Sequence, residues 1–348
     1  MLDKKVYLMP SPFHTLSVKE QKDQIIVCGQ ALGISEVAIE KDIWICWILE
    51  KLFLLDMPLV FKGGTTLSKV FNLVNRYSED IDISIEYSNF LDYQIDFDVK
   101  HTDREREKFR RDLYQAITGY LTKTVLPHLQ AEYAKDFPNG KGSFNLRYKT
   151  YMKDGRDYAE EIEFLYPKIF DSMGGLLDFV KIEFNLRNTS DPFESHNVSS
   201  YVDDFYEIGY AVKANVLSPV RTFWEKATLI HVECNKKVSR LVDPKARQAR
   251  HWYDLYKLAN SDIVKKALNN KEVLDLVIKT KQIFYYYGDA TYESCSNGNI
   301  KLIPDEKGIE GLRQDYQGMV DSRLFFETEP TFDEIISSLH ALENKINA

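Results

Sequence analysis

From Asp80 to Glu86 the chain alternates strictly, with Asp80, Asp82, Ser84 and Glu86 on one face and Ile81, Ile83 and Ile85 on the other. That two-residue period predicts a half-buried strand with an acidic face. Upstream, Pro58 to Phe61 reads as a short strand ending at Gly63 and Gly64, after which Leu67, Val70, Phe71 and Val74 recur at helical spacing. The segment is therefore strand, glycine turn, helix, strand. Two helices precede it: one opened by a Ser17 and Glu20 capping box and running towards Ala31, and one from about Glu36 to Leu54 with Trp44, Trp47 and Ile48 as apolar members. Beyond it, Phe109, Leu113, Ile117 and Leu121 mark one side of a helix from about Asp103 to Val125, with Pro127 expected to end it.

Three alternating stretches follow, near Ser143 to Met152, Tyr158 to Tyr166 and Phe179 to Arg187, the last two separated by Gly174 and Gly175. They can extend the first sheet. After an extended run near Tyr210 to Val216 the pattern turns helical, with starts at Ser218-Pro219 and Asp243-Pro244 and a Thr331 and Glu334 capping box; Ser294 to Gly308 reads as a loop. The expected fold class is α/β (α+β), a mixed sheet flanked by helices over 1–217 followed by a mainly helical lobe over 218–348.

Composition narrows the possibilities. No stretch approaches the roughly 18 apolar residues that span a bilayer, and the N-terminus lacks the layout of an export signal, so a cytoplasmic protein without a membrane partner is expected. Cys28, Cys46, Cys234 and Cys295 are too scattered for a zinc clamp or redox pair. The net charge of −8 argues against coating nucleic acid by bulk electrostatics, so a polyanion would have to meet a local patch.

Two carboxylates at i and i+2 on a strand project from one face about 7 Å apart, a separation that divalent metal can bridge. Asp80 and Asp82 meet that condition, and Mg²⁺ carrying nucleotide phosphates would offset their repulsion. An exposed polar strand face has the same pattern. What favours chemistry is the turn upstream, because Gly63 and Gly64 let backbone amides approach phosphate and a helix start at Thr65 or Thr66 adds a favourable dipole. Lys62, Arg76 and Ser78 read either as phosphate contacts or as a strand flank, a helix cap and a turn residue.

Phe61-Lys62-Gly63-Gly64-Thr65-Thr66-Leu67-Ser68-Lys69 followed by Arg76-Tyr77-Ser78-Glu79-Asp80-Ile81-Asp82 resembles the AbiEii/AbiGii toxin family, which includes the MenT toxins and belongs to the polymerase-beta-like nucleotidyltransferases. Glu40-Lys41-Asp42, Lys181-Ile182-Glu183, the run Arg221 to Lys226, the run Arg250 to Leu255, and Asp315-Tyr316 with Met319 are similar to looser family motifs in family order. The resemblance implies that Gly63, Gly64 and Thr65 hold a triphosphate, that Asp80 and Asp82 hold catalytic Mg²⁺ or Mn²⁺, and that Lys181, Glu183 and Asp254 complete the site. The chain departs from many relatives at His251, where an acid follows the arginine, and the role of His251 stays open.

Pattern alone supports part of this. Lys181, Glu183 and Asn185 alternate with Val180, Ile182, Phe184 and Leu186, so Glu183 becomes a third metal-site carboxylate if its strand lies beside Asp80 to Glu86; Glu163 competes for that place. Arg247, Arg250 and Asp254 are spaced to present one charged helix face, on which Arg250 is a candidate nucleotide contact, or to form a surface ion pair. Lys226 is a phosphate contact or a snorkelling side chain. The expected reaction moves a nucleoside monophosphate from a nucleoside triphosphate (NTP) to an acceptor. By resemblance that acceptor is an RNA, tRNA first, and an antitoxin partner is expected; a protein or small-molecule hydroxyl, or nucleotide binding without catalysis, are the alternatives. Two basic clusters could take RNA: Lys100, Arg104, Arg106, Lys108, Arg110 and Arg111, and Lys236, Lys237, Arg240, Lys245, Arg247 and Arg250.

Overall fold

The computed structural model describes residues 13–150, 157–171, 176–185, 192–237, 239–285, 292–296 and 298–348. Ser17 caps α1 (Val18–Leu32) through a reciprocal pair with Glu20, and Ser35 caps α2 (Glu36–Leu52). The acidic segment follows as β1 (Leu59–Lys62), α3 (Gly64–Lys69) and β2 (Asp80–Ile85). Ile81, Ile83 and Ile85 are fully buried, as the alternation requires.

The helix after the glycine turn is shorter than its apolar spacing predicts. Asn72 takes a left-handed φ of 51° and the chain folds back, Leu73 N–H donating to the Leu67 carbonyl at 2.8 Å. Leu67 and Val74 enter the core between the later helices, whereas Val70 and Phe71 pack on the sheet core. One straight helix face could not serve both.

Pro127 does not end its helix either. The chain passes from α4 (Asp103–Tyr120) through a π turn (Leu121–Val125) into α5 (Leu126–Asp136), where proline sits in the first turn. Leu126 N–H donates to Leu121 O across the wider turn, and that shift of frame accommodates a residue without a donor. The three alternating stretches become β3 (Ser143–Thr150), β4 (Asp157–Leu165) and β5 (Val180–Asn185). Met152, Gly174, Gly175, Leu186 and Arg187 lie outside the described residues. β6 (Phe193–Val198) escapes the pattern because it is a largely exposed edge strand with no buried face to impose alternation. α6 (Tyr201–Phe205) and β7 (Val212–Leu217) complete this part.

Ser218 caps α7 (Pro219–Asn235) as expected. Asp243-Pro244, in contrast, opens only a 3-10 turn, since Arg247 is left-handed at φ 54° and α8 (Ala249–Ala259) begins after it. Arg247 is therefore not on the helix that carries Arg250 and Asp254. α9 (Ile263–Leu268), α10 (Lys271–Phe284), a single turn α11 (Glu293–Ser296), α12 (Glu306–Asp321) and α13 (Phe332–Asn347) follow, so the stretch read as a loop holds α11 and the start of α12.

The seven strands form one mixed sheet in the order β3-β4-β5-β2-β1-β7-β6. β2 is parallel to β5 and antiparallel to β1, which is parallel to β7. At one end of the sheet, then, the starts of β2 and β5 lie beside the ends of β1 and β7. The glycine turn, Asp80, Asp82, Lys181 and the start of α7 all meet there.

α2 reinforces that end with three consecutive buried charges. Glu40 accepts from the Ile169 and Phe170 amides, and Lys41 Nζ donates to Glu79 Oε2 at 2.5 Å. Asp42 pairs with Lys69 Nζ at 2.7 Å and accepts from Tyr201 N–H at 2.8 Å. Because removing one partner of a buried pair strands the other charge, Asp42→Ala should destabilise the fold by about 3–5 kcal/mol in denaturant titration. A loss under about 1 kcal/mol would mean that Lys69 is solvated in solution.

Candidate functional site

The bend after β1 exists in this form only because it has no side chains. Gly63 has φ +88°, and a Cβ there would stand 2.1 Å from Asp82 Oδ2; one on Gly64 would stand 2.6 Å from Arg76 Nη2 and 3.1 Å from Ser78 Oγ. The acidic strand and the turn thus converge. Thr65 is committed to holding them together, its Oγ1 donating to the Asp80 carbonyl at 2.6 Å and sharing a hydrogen bond with Ser78 Oγ at 3.0 Å. α3, at six residues, contributes little dipole, so the amides of the bend itself are what an anion would meet.

Asp80 is 6% exposed, with Lys181 Nζ at 3.5 Å and Arg250 Nη1 at 3.2 Å from its Oδ2. Burial opposes its charge, but Lys181 and Arg250 outweigh it and hold the carboxyl below its ordinary range. Asp82, half-buried, is pushed up to about 7, first by burial and then by repulsion from Glu183 and Asp80. Register explains the repulsion: Asp80 pairs with Lys181 and Asp82 with Glu183. Glu163 lies one strand further out, opposite Lys181, and is ion-paired to Arg147 at 2.6 Å.

A cavity of about 380 Å³ opens beside these acids, and Lys62, Gly63, Arg76, Lys226, Arg250 and His251 are on its wall. Lys62 Nζ lies 3.6 Å from Glu225 Oε2. Arg76 donates from Nε and Nη2 to the two oxygens of Asp254 at 2.7 and 2.8 Å, and Lys226 Nζ is 2.8 Å from Asp254 Oδ2. Asp254 itself is fully buried behind those cations, which keep its carboxyl far below the usual range despite burial. Arg250 and Asp254 do not pair with one another. His251 is held neutral by burial and by the charges of Lys226 and Arg250, and its Nδ1 has no hydrogen-bond partner among the described residues.

Among the described residues no three acidic, histidine or cysteine side chains form a closed metal cage. A cation nonetheless fits, since Asp80 Oδ1 is buried without a hydrogen bond among the described residues and Asp82 is pushed towards protonation by burial and then by Glu183 and Asp80. Mg²⁺ is ordinarily held by one or two carboxylates together with water and substrate phosphate, so a closed protein cage is not required.

Sequence reasoning missed Lys281, which lines the same cavity and donates to the Glu225 carbonyl and to Thr228 Oγ1, each at 2.8 Å. Burial pushes it down to about 7. The available signal was its position: it continues the apolar stripe of Leu274, Val277 and Ile278 on α10. Of the two basic clusters, the one at and before α4 is partly neutralised locally, Arg106 by Asp103 and Lys108 and Arg111 by the one carboxylate of Asp112. The second reaches the cavity through Arg240 and Arg250.

The family model described as nucleotidyl transferase AbiEii toxin, type IV toxin–antitoxin system, matches residues 47–338. The chain belongs to this AbiEii family. It is a nucleotidyltransferase of the toxin–antitoxin class. Among solved structures it is similar to MenT4, a nucleotidyltransferase toxin from Mycobacterium tuberculosis H37Rv, at 16% identity over 92% of this chain and 97% of that one, with a TM-score of 0.36. No curated protein matches it in sequence.

Two outcomes follow for this AbiEii site. Gly63→Ala must strain a left-handed position and displace Asp82, so it should lose nucleotide transfer and about 1–3 kcal/mol of stability; activity within twofold of wild type would show that the bend relaxes freely. Asp82 binds its proton more tightly folded than unfolded, so its contribution is complete below about pH 4 and is lost as pH rises through about 7. In EDTA the thermal midpoint of wild type relative to Asp82→Asn should therefore fall between pH 4 and 7, and a constant difference across that range would contradict the raised carboxyl.

Proposed function

We propose that the chain is a metal-dependent enzyme that transfers a nucleoside monophosphate from an NTP to a hydroxyl of RNA, with tRNA as the leading acceptor. The observation that carries this reading is the approach of Asp82 to Gly63, which brings carboxylates, a turn lined by amides and several cations to one cavity. Asp80, Asp82 and Glu183 would hold Mg²⁺ or Mn²⁺, whose charge would offset the negative charge that develops on the α-phosphate and pyrophosphate. Gly63 and Gly64 present backbone amides to the polyphosphate, with Thr65 and Ser78 fixing the bend. Lys62, Arg76, Lys226 and Arg250 stabilise the leaving group. Asp254 acts behind them, orienting Arg76 and Lys226. Glu183, the carboxylate on the open side, takes the proton of the acceptor hydroxyl as its oxygen bonds to the α-phosphorus and the bond to pyrophosphate breaks; Lys181, 2.5 Å from Glu183 Oε1, holds it in place.

RNA is favoured over a protein or small-molecule acceptor because Arg240, which lines the cavity, lies in a segment that also exposes Lys237 and Lys245, in a chain of net charge −8. A neutralising antitoxin and action in the cytoplasm fit the family's toxin–antitoxin description. No helix among the described residues is long and apolar enough to cross a membrane.

Incubation with each labelled NTP, Mg²⁺ and either purified tRNA or lysate protein tests the proposal. Label should enter RNA, and Asp82→Asn should lower the rate by roughly a thousandfold or more. Label in protein alone would move the acceptor to that class. Absence of transfer by folded enzyme to either acceptor pool would remove the catalytic reading.

A further inference from the structure

The cavity changes character along one face of α7. Glu225, Lys226, Leu229, Val232 and Glu233 all line it, at the spacing of a single helical stripe. At its beginning the stripe is charged, with Glu225 beside Lys62 and Lys226 on Asp254. Leu229 and Val232 then form an apolar middle, and the same cavity is lined by the aromatic rings of Tyr285 and Tyr292. At 1.5 Å of rise per residue, Glu233 stands about 10 Å beyond Lys226. Phosphate contacts, an apolar and aromatic section and a polar end follow each other as the parts of a nucleotide do.

Glu233 is unusual within that stripe. It is 2% exposed, its Oε1 accepts from Lys236 Nζ and from Arg240 Nη2 at 2.7 Å each, and its Oε2 accepts no hydrogen bond among the described residues. Burial works against its charge, yet the Arg240 and Lys236 hydrogen bonds prevail and keep the carboxyl below its usual range. Anchoring the segment after α7 needs only Oε1. A second buried carboxylate oxygen without a donor is costly, and a ligand that brings an N–H to it recovers that cost.

We infer that Glu233 reads the nucleobase, selecting a nucleotide whose base carries an exocyclic amine over one with a carbonyl at that position. A carboxylate accepts only, so an amine N–H satisfies it and a carbonyl oxygen repels it. The inference rests on the nucleotide-binding reading of the cavity.

Two matched pairs isolate the amine from base size: CTP against UTP, and ATP against inosine triphosphate. Equilibrium binding to the whole chain with Mg²⁺ should favour the amine-bearing member of at least the better-bound pair by about ten- to a hundredfold, the effect of one hydrogen bond to a charged group. Glu233→Gln, whose amide can also donate, should bring that ratio close to one while inorganic tripolyphosphate binds as it does to wild type. Glu233→Asp keeps the charge for Lys236 and Arg240 but shortens the reach, and should lower the ratio even if the glutamine form folds poorly. Ratios near one in wild type, or ratios unchanged in both variants, would overturn the assignment while leaving the nucleotide site intact. Failure of all four nucleotides and tripolyphosphate to bind wild type would instead remove the site reading on which it stands.

Discussion

A carboxylate with no access to water organises the basic half of the cavity. Asp254, fully buried on α8, is tolerable there only because Arg76 covers both its oxygens and Lys226 adds a third contact. Those partners come from the segment before β2 and from α7, so the pairing ties the sheet to the later helices at the point where the cavity opens. The cations are thereby fixed in advance of any anion, and reorganisation at the moment of reaction is small.

The acidic half obeys the opposite logic. Asp80, Asp82 and Glu183 are placed side by side by strand register, with Lys181 and Arg250 offsetting part of their repulsion and Asp82 carrying the remainder. This half is left short of positive charge, while Glu79, directly before Asp80, is fully satisfied by Lys41 and Arg247. A frustrated acidic centre inside a satisfied surround is the electrostatic condition for capturing a divalent ion.

Much of this could be read from residue order, for reasons particular to each element. The alternation at β2 showed because one face is wholly apolar, and the glycine turn because only glycine tolerates the approach of Asp82. Capping boxes at Ser17 and Thr331 fixed two helix starts. What stayed hidden depended on distant partners. Neither the pairing of β5 with β2 nor the exposed β6 has a local signature, and the break at Arg247 is a single backbone angle. The burial of Asp254 behind Arg76 depends on residues 178 positions apart, beyond any spacing rule.

The continuous wall formed by α7 restricts how such a cavity can diverge. Lys226 and Glu233 are joined by unbroken helix, so one residue inserted between them would swing everything downstream by about 100° and move Glu233 away from the cavity. Side-chain replacement preserves that geometry whereas a length change scrambles it. Homologues with altered nucleotide preference should therefore differ here in residue type and keep the helix length constant.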